Sequence, residues 1–243
     1  MAGDSASQSE AHPKTRVKWP ASYRLIPSKY PPIDLFDDIS PPEDWELLAQ
    51  AESRTNPRIL DQVGDLRRVP TNRRVSGPGA SWLMAPLTHV SIDRKSRFAD
   101  GTYGAYYCAR RFETALRETV FHWENFLRAT SEDSGWVTEM REIVAKVDHE
   151  FTDLCDHPIA EVLDKDSYLA SQKWGSAQRE LGADGILYPS QRHEGGLCLA
   201  VFWPDVIELP KQGSHWIYHW DGERIDYAKK LSSTDGNHKV FRL

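Results

Sequence analysis

Charged and polar side chains interrupt the apolar segments of this 243-residue chain at a few positions. Arg97 precedes the glycine-bearing turn Asp100-Gly101-Thr102, and its guanidinium is a cation with several directional hydrogen-bond donors. Glu118 lies in a predicted helix, rotated about 200° around the axis from Leu116, so its carboxylate points away from the apolar seam. His122 shares this polar face one turn later. Such a face borders either solvent or a cleft.

A second group of polar residues follows a predicted apolar strand. The segment Tyr188-Pro189-Ser190-Gln191-Arg192 supplies a hydroxyl, an amide and a guanidinium in quick succession. Loops at strand ends often carry functional groups, although a serine there also often satisfies the backbone of a turn. Arg192 and His122 are secondary candidates. His122 either orients the Glu118 carboxylate or forms a local hydrogen bond.

The motifs of several common enzyme classes are missing from the sequence. There is no Walker loop, no GxSxG, no HExxH and no GxGxxG after a strand. His149, Cys155 and His157 lack the standard spacing of zinc ligands. The three cysteines are too few and too scattered for a disulfide framework. We therefore expect no metal site.

The composition is that of a globular protein, with 40% hydrophobic and 27% charged residues. An excess of 36 acidic over 30 basic residues argues against direct binding of nucleic acid. The longest apolar run, residues 197–203, is too short to span a membrane. The polar N-terminus lacks the features of a secretory signal. We therefore expect a cytoplasmic protein that does not bind membranes.

Apolar periodicity predicts helices that would position these groups. Residues 113–128, 137–154 and 167–181 each place apolar side chains on one face at helical spacing, and Gly182 follows as a stop. A shorter helix is predicted to begin near Trp45, after an extended proline-rich segment.

Short apolar runs bounded by turn residues predict the strands. These runs are residues 83–90, 104–109, 185–188, 197–202, 216–220 and 224–228. The last two are joined by Asp221-Gly222, a hairpin signal. Strands bracket a helical middle, so the predicted fold class is α+β with mostly antiparallel pairing.

Taken together, the polar residues resemble those of the RES domain family, the toxins of bacterial toxin–antitoxin pairs. Arg97, Tyr107 ten residues later, Glu118 after eleven more, and Ser190 in its Tyr-Pro-Ser-Gln-Arg context match the order and spacing of that family. The resembling segments are Ser96-Arg97-Phe98, Tyr107-Cys108-Ala109, Ala115-Leu116-Arg117-Glu118, residues 185–190 and Gly195-Gly196. The family usually has Gly-Arg-Trp-Asn at the arginine, where this chain has Ser96-Arg97-Phe98-Ala99.

The resemblance implies a single domain with an ADP-ribosyltransferase-like fold, whose mixed sheets and packed helices surround a cleft for NAD. Loss of nicotinamide leaves an oxocarbenium-like ribose, which the Glu118 carboxylate would stabilise. The guanidinium fork of Arg97 would bind the pyrophosphate and its ribose. Tyr107 would stack on the nicotinamide ring, and Ser190 would hydrogen-bond the nicotinamide amide or ribose. Arg192 is a further candidate for substrate binding.

The implied activity is cleavage of NAD+, by a glycohydrolase if water is the acceptor or by a phosphorylase if phosphate is. NAD+ would then be a substrate, with phosphate as a possible co-substrate, and no prosthetic group is implied. Transfer of ADP-ribose to a protein and a catalytically silent interaction module are the alternatives. The resemblance also implies a partner, an antitoxin with an Xre-like helix-turn-helix domain, so that any association with DNA would be indirect.

The sequence patterns and the resemblance together divide the chain into four parts. Residues 1–16 are expected to form a flexible tail, and residues 17–80 a proline-rich arm with a short helix. Residues 81–210 would form the catalytic core, and residues 211–243 a hairpin and tail.

Overall fold

The structure is a computed structural model that describes residues 10–33, 36, 40–93, 95–231 and 240–243. These residues contain eight strands: β1 (Lys14–Pro27), β2 (Tyr106–Ala109), β3 (Gly135–Asp153), β4 (Gly185–Pro189), β5 (Leu197–Val201), β6 (Lys211–Trp220), β7 (Ile225–Leu231) and β8 (Val240–Arg242). They also contain five α-helices: α1 (Trp45–Glu52), α2 (Arg58–Val63), α3 (Ala80–Thr88), α4 (Phe112–Thr130) and α5 (Leu169–Glu180).

The described strands form one sheet in the order β1-β2-β5-β4-β3-β6-β7-β8, and β1 also pairs with β3. The first five strands of this order therefore close into a ring, while β3 continues into an open extension with β6, β7 and β8. The pairing of β3 with β4 is parallel and the other described pairings are antiparallel. The predicted α+β class with mostly antiparallel strands is confirmed.

The longest predicted helix, over residues 137–154, is wrong, because this segment forms most of β3. The pairing of β3 with β6 shifts in register between Arg141 and Ile143. Met140 is buried before this shift, and Ile143 and Val147 are buried after it, so the inward-facing positions change from even to odd numbers.

The extra residue at this shift lies in β6, and β3 itself pairs residue for residue with β1 from Met140 to Val144. The two halves of β3 therefore bury opposite faces, Met140 in a cluster with Trp216 and Val147 in a cluster with Leu199. This change of buried face imitates the three-and-four spacing of a helix.

The strand predicted over residues 83–90 is also wrong, because the segment belongs to helix α3. Leu83, Met84 and Leu87 are buried together with most other residues of this helix. A helix that is apolar on most sides shows no stripe, and a short run of this kind cannot be distinguished from a buried strand by periodicity. Gly79, in the left-handed conformation, precedes the first turn.

The other predicted elements are present. Helices α1, α4 and α5 lie where helical spacing places them, and Gly182 follows α5 with a positive φ of 84°. Strands β2, β4 and β5 and the β6–β7 hairpin are likewise confirmed. The expected tail over residues 1–16 is wrong at its end, since β1 already begins at Lys14. Residues 1–9 and 232–239 of the expected tails lie outside the described residues.

Helix α4 packs beside the ring and presents two different faces. Its apolar side buries Leu116, Val120 and Leu127 in a cluster with Trp216 and Trp220 of β6. Its other side borders the cleft described below. Among the described residues, no helix is both long enough and apolar enough to cross a lipid bilayer.

The β3 assignment predicts the effect of a core truncation. Ile143 is fully buried at 0% exposure, whereas Ile92 is 71% exposed. Ile143→Ala should lower the free energy of unfolding by about 2–5 kcal/mol through lost burial and a residual cavity. Ile92→Ala should change it by less than about 0.5 kcal/mol. Urea denaturation of the two variants measures the difference, and equal losses would contradict the placement of β3.

Candidate active site

A cavity of about 460 Å³ opens beside α4 at the junction of β1 and β2. These two strands are joined by a single residue pair, Tyr23 with Ala109, so the ring is weakest at this point. The cavity is lined by residues of β1, β2, α4 and the segment 95–97, with contributions from β4, β5 and residue 168. Three of the predicted site residues, Arg97, Tyr107 and Glu118, line it, as does His122.

Glu118 is the one carboxylate among the residues that line this cavity. Ser190 Oγ donates a hydrogen bond of 2.6 Å to Glu118 Oε1. The same Oγ accepts from the backbone N–H groups of Arg192 at 3.2 Å and His193 at 3.0 Å. The tight turn after β4 therefore fixes the serine hydroxyl, which in turn fixes the carboxylate. The Ser190 hydroxyl donates its proton to this hydrogen bond with Glu118, and Ser190 itself does not line the cavity.

The neighbouring thiol and phenols keep their protons at neutral pH. Burial, together with the Glu118 charge, raises the pKa of the Cys198 thiol well above its ordinary value. Burial likewise raises the pKa of Tyr188 and, to about 12, that of Tyr107. These groups therefore carry no negative charge that would compete with Glu118 in the cleft.

Arg97 is a buried cation, only 7% exposed, in the wall of the cleft. Its Nη1 donates to the carbonyl oxygen of Asp164 at 2.7 Å, and its guanidinium lies 4.5 Å from the centre of the Tyr168 ring. The contacts of this side chain are thus with a carbonyl and an aromatic face. Lys95 adds a second, exposed cation to the cleft lining.

The Tyr107 hydroxyl contacts the two residues on either side of Arg97. Its Oη lies 2.8 Å from Ser96 Oγ and accepts from the Phe98 N–H at 3.0 Å. Arg24 of β1 donates to the Tyr107 carbonyl at 2.9 Å and lies 4.8 Å from the Tyr106 ring centre. Burial lowers the pKa of Arg24. This arginine ties β1 to β2 beside their single pair.

Arg192 does not line the cavity. Its Nη2 donates to the Lys165 carbonyl at 2.8 Å, and its guanidinium lies 3.5 Å from the Phe121 ring centre. Arg97 and Arg192 thus donate to the carbonyls of two consecutive residues, which brings segment 164–168 to the edge of the cleft.

His122 lines the cleft one turn after Glu118, yet no hydrogen bond found in the described residues involves its imidazole. Neither of the two bonds considered for it, to Glu118 or to a local group, is therefore formed here. Partial desolvation in the cleft lowers the pKa of His122; the Glu118 charge opposes this shift, and Arg192 and Arg97 add to it. The imidazole is neutral at pH 7.

Sequence reasoning missed Arg24, Lys95 and Tyr168. Arg24 carries a recognisable signal, since it is a charged residue between apolar residues of an extended segment. Lys95 and Tyr168 have no such signal, because only the folded chain brings their loops to the cleft. Among the described residues, no group of three or more His, Cys, Asp or Glu side chains is arranged to hold a metal ion.

Comparison with known proteins assigns the chain to a family. A model of the RES domain matches residues 71–221, more than half of the chain. The chain belongs to the RES domain family. Uncharacterized protein y4oC of Sinorhizobium fredii (strain NBRC 101917 / NGR234) is 31% identical to this RES domain protein over 205 residues, which is 84% of each chain.

The matched RES region contains all five predicted site residues and extends from just before α3 to just after β6. Among solved structures, the M. tuberculosis MbcT-MbcA toxin-antitoxin complex contains a similar chain. The similarity has a TM-score of 0.43 at 12% sequence identity, covering 86% of this RES domain chain and 87% of the other.

The charges around His122 predict a pH-dependent signal. Since desolvation and two arginines lower its pKa, its imidazole should titrate below the ordinary value of 6.5. Glu118→Gln removes the one group that raises this pKa and should shift the titration to still lower pH. Arg192→Gln removes a repelling cation and should shift it upward. NMR titration of the His122 ring proton measures both shifts, and shifts of the same sign would contradict this arrangement of charges.

Proposed function

We propose that this RES domain protein is a cytoplasmic toxin that cleaves the nicotinamide–ribose bond of NAD+. The observation that supports the proposal most directly is the hydrogen bond between Ser190 and Glu118. It holds a single carboxylate in a cleft whose other charged lining residues are the cations Arg24, Lys95 and Arg97. A lone, oriented carboxylate among cations suits a reaction in which an anionic substrate develops positive charge at one carbon.

In the proposed reaction, the bond between C1 of the ribose and the pyridinium nitrogen breaks. The electron pair leaves with nicotinamide, which becomes neutral, so the leaving group requires no proton. Positive charge develops on the ribose, and the Glu118 carboxylate stabilises it electrostatically. Ser190 keeps this carboxylate in place, so little reorganisation is needed when the charge appears.

The pyrophosphate of NAD+ carries the negative charge that distinguishes the substrate from a simple glycoside. Arg97 and Lys95 both line the cleft and supply cations for it. The protein as a whole has a formal charge of −6, so binding depends on these placed groups and not on long-range attraction. Tyr168 and Tyr188 add aromatic surface for the rings of the dinucleotide.

The acceptor is water in a glycohydrolase, which yields free ADP-ribose, or phosphate in a phosphorylase, which yields ADP-ribose phosphorylated at C1. We further propose an antitoxin protein with an Xre-like domain as the partner, as the family resemblance implies. Phe126, 54% exposed, lines the cleft and offers apolar surface for such a partner.

Glu118→Gln should lower the rate of nicotinamide release by about 10²–10³-fold, as expected when a group that stabilises transition-state charge is removed. Glu113→Gln is the matched control, since Glu113 lies on the same helix outside the cleft lining, exposed, in a pair with Arg117 and a longer 3.9 Å contact with His193. That pair is worth little energetically, so the control should keep the wild-type rate. The measurement is nicotinamide release from NAD+ by purified protein, with and without phosphate.

The products of this assay separate the possible functions. Free ADP-ribose identifies a glycohydrolase, and the C1-phosphorylated product identifies a phosphorylase. Adenine label incorporated into protein would identify an ADP-ribosyltransferase. No release by folded wild-type protein, or undiminished release by Glu118→Gln, would refute the proposed reaction and favour a silent interaction module.

Ser190→Ala should affect catalysis more than binding. The substitution removes the hydroxyl that orients Glu118 and leaves two turn N–H groups without their acceptor. We expect kcat to fall about 10-fold, because an oriented carboxylate matters most in the transition state, while KM changes less than about threefold. Steady-state kinetics checks this. A large rise in KM with unchanged kcat would instead show that Ser190 binds the substrate directly.

A further inference from the structure

The turn that carries Arg97 is bonded to other parts of the protein at nearly every residue. The turn, residues 96–99, is closed by the Ser96 N–H, which donates to the Ala99 carbonyl at 2.9 Å. Phe98 and Ala99 are buried, and the Arg97 side chain is buried with them. A buried turn needs partners for its remaining polar backbone groups.

Strand β2 supplies one set of partners. The Tyr107 hydroxyl contacts Ser96 Oγ and the Phe98 N–H, so one side chain links the first and third residues of the turn. Since burial raises the pKa of Tyr107 to about 12, this hydroxyl stays neutral and can hold both contacts throughout the physiological range.

Helix α5 supplies a second set of partners. Ser171 Oγ donates to the Arg97 carbonyl at 2.6 Å, and Gln172 Nε2 donates to the Ser96 carbonyl at 2.9 Å. Both side chains are buried, Ser171 at 0% and Gln172 at 7% exposure. Buried polar side chains on a helix are costly unless they are bonded, and these two are bonded to the turn.

The backbone of α5 also lies directly against the turn. A Cβ added at Gly175 would lie 2.8 Å from the Phe98 carbonyl oxygen, a separation that real Cβ atoms do not show. The glycine therefore permits the close approach that brings Ser171 and Gln172 within hydrogen-bond distance of the turn.

We infer that Ser171 and Gln172 are positioning residues for Arg97, and that Tyr107 acts with them through its hydroxyl. This inference rests on the proposed function, in which Arg97 binds the anionic part of NAD+. The three side chains fix the backbone of residues 96–98, so the guanidinium is held in the cleft wall before the substrate arrives. A cation fixed in advance loses less conformational freedom on binding.

The expected consequence is a loss of affinity with little change in catalysis. Arg97 contacts the pyrophosphate, which does not react, so its contribution is similar in the ground state and the transition state. Loosening the turn should therefore raise KM and leave kcat nearly unchanged. Ser190→Ala is expected to show the opposite behaviour, which separates the two positioning roles.

The test compares Gln172→Ala and Tyr107→Phe with Gln178→Ala. Gln178 is the matched control: it is a buried glutamine on the same helix that bonds the backbone of Glu10 and His12, away from the turn. We expect KM for NAD+ to rise about 10-fold in the first two variants, the usual effect of one lost hydrogen bond. The control should stay within about twofold, and kcat should stay within about twofold in all three.

A second measurement excludes a merely structural effect. The Kd for NAD+ is measured by calorimetry in the Glu118→Gln background, where turnover is suppressed. Gln172→Ala should weaken binding there about 10-fold, but should have no additional effect once Arg97→Ala is present, because the two residues act through one contact. Circular dichroism checks that each variant is folded. If Gln172→Ala does not fold, the same binding measurement is made with Tyr107→Phe.

The outcomes distinguish this inference from the proposed function. If wild-type protein releases no nicotinamide and binds no NAD+, the proposed function fails. If the wild type is active but Gln172→Ala and Tyr107→Phe behave like Gln178→Ala, the positioning role fails alone. An equal loss of affinity from Gln172→Ala with and without Arg97 would also overturn it.

Discussion

The cleft depends on the way the ring of strands closes. β1 and β3 pair along most of their lengths, but β1 and β2 share only the pair of Tyr23 with Ala109. The ring is therefore held firmly on one side and opens on the other, and the cavity lies at that opening. Arg24 ties the two strands together there by donating to the Tyr107 carbonyl. A tighter β1–β2 pairing would leave less room for a site.

Two charged groups in this opening, the half-buried Glu118 carboxylate and the buried Arg97 guanidinium, are each held in place by hydrogen bonds. The Glu118 carboxylate is held by Ser190, which the turn after β4 orients through two backbone N–H groups. The Arg97 guanidinium is held through its backbone turn, which is hydrogen-bonded to Tyr107 of β2 and Ser171 of α5. Each charged group is thus positioned by hydrogen bonds from a different part of the fold. Such hydrogen bonds allow a site to keep its geometry without a bound ligand.

The sequence predicts part of the scaffold correctly and part of it wrongly. Helix α4 and strand β2 follow simple apolar patterns that are recognisable in the sequence, and the fold brings their Glu118 and Tyr107 to one cleft with Arg97. The pattern of segment 137–154 predicts a helix because the two halves of β3 bury opposite faces, so the buried positions change from even to odd numbers. Packing against distant parts of the chain decides which face each half buries, so no local pattern reveals the change. The hydrogen bonds of Ser190 and Tyr107 could not be predicted from the sequence either, since they join residues that only the fold brings together.

A structure of the Glu118→Gln variant with NAD+ bound would test the central claim most directly, because the substitution keeps the shape of the cleft while suppressing turnover. We predict that the dinucleotide occupies the cavity beside α4, with its pyrophosphate at Arg97 and the C1 atom of its nicotinamide ribose next to position 118. A dinucleotide bound elsewhere, or an empty cleft at saturating NAD+, would contradict the assignment of this cavity as the site of NAD+ cleavage.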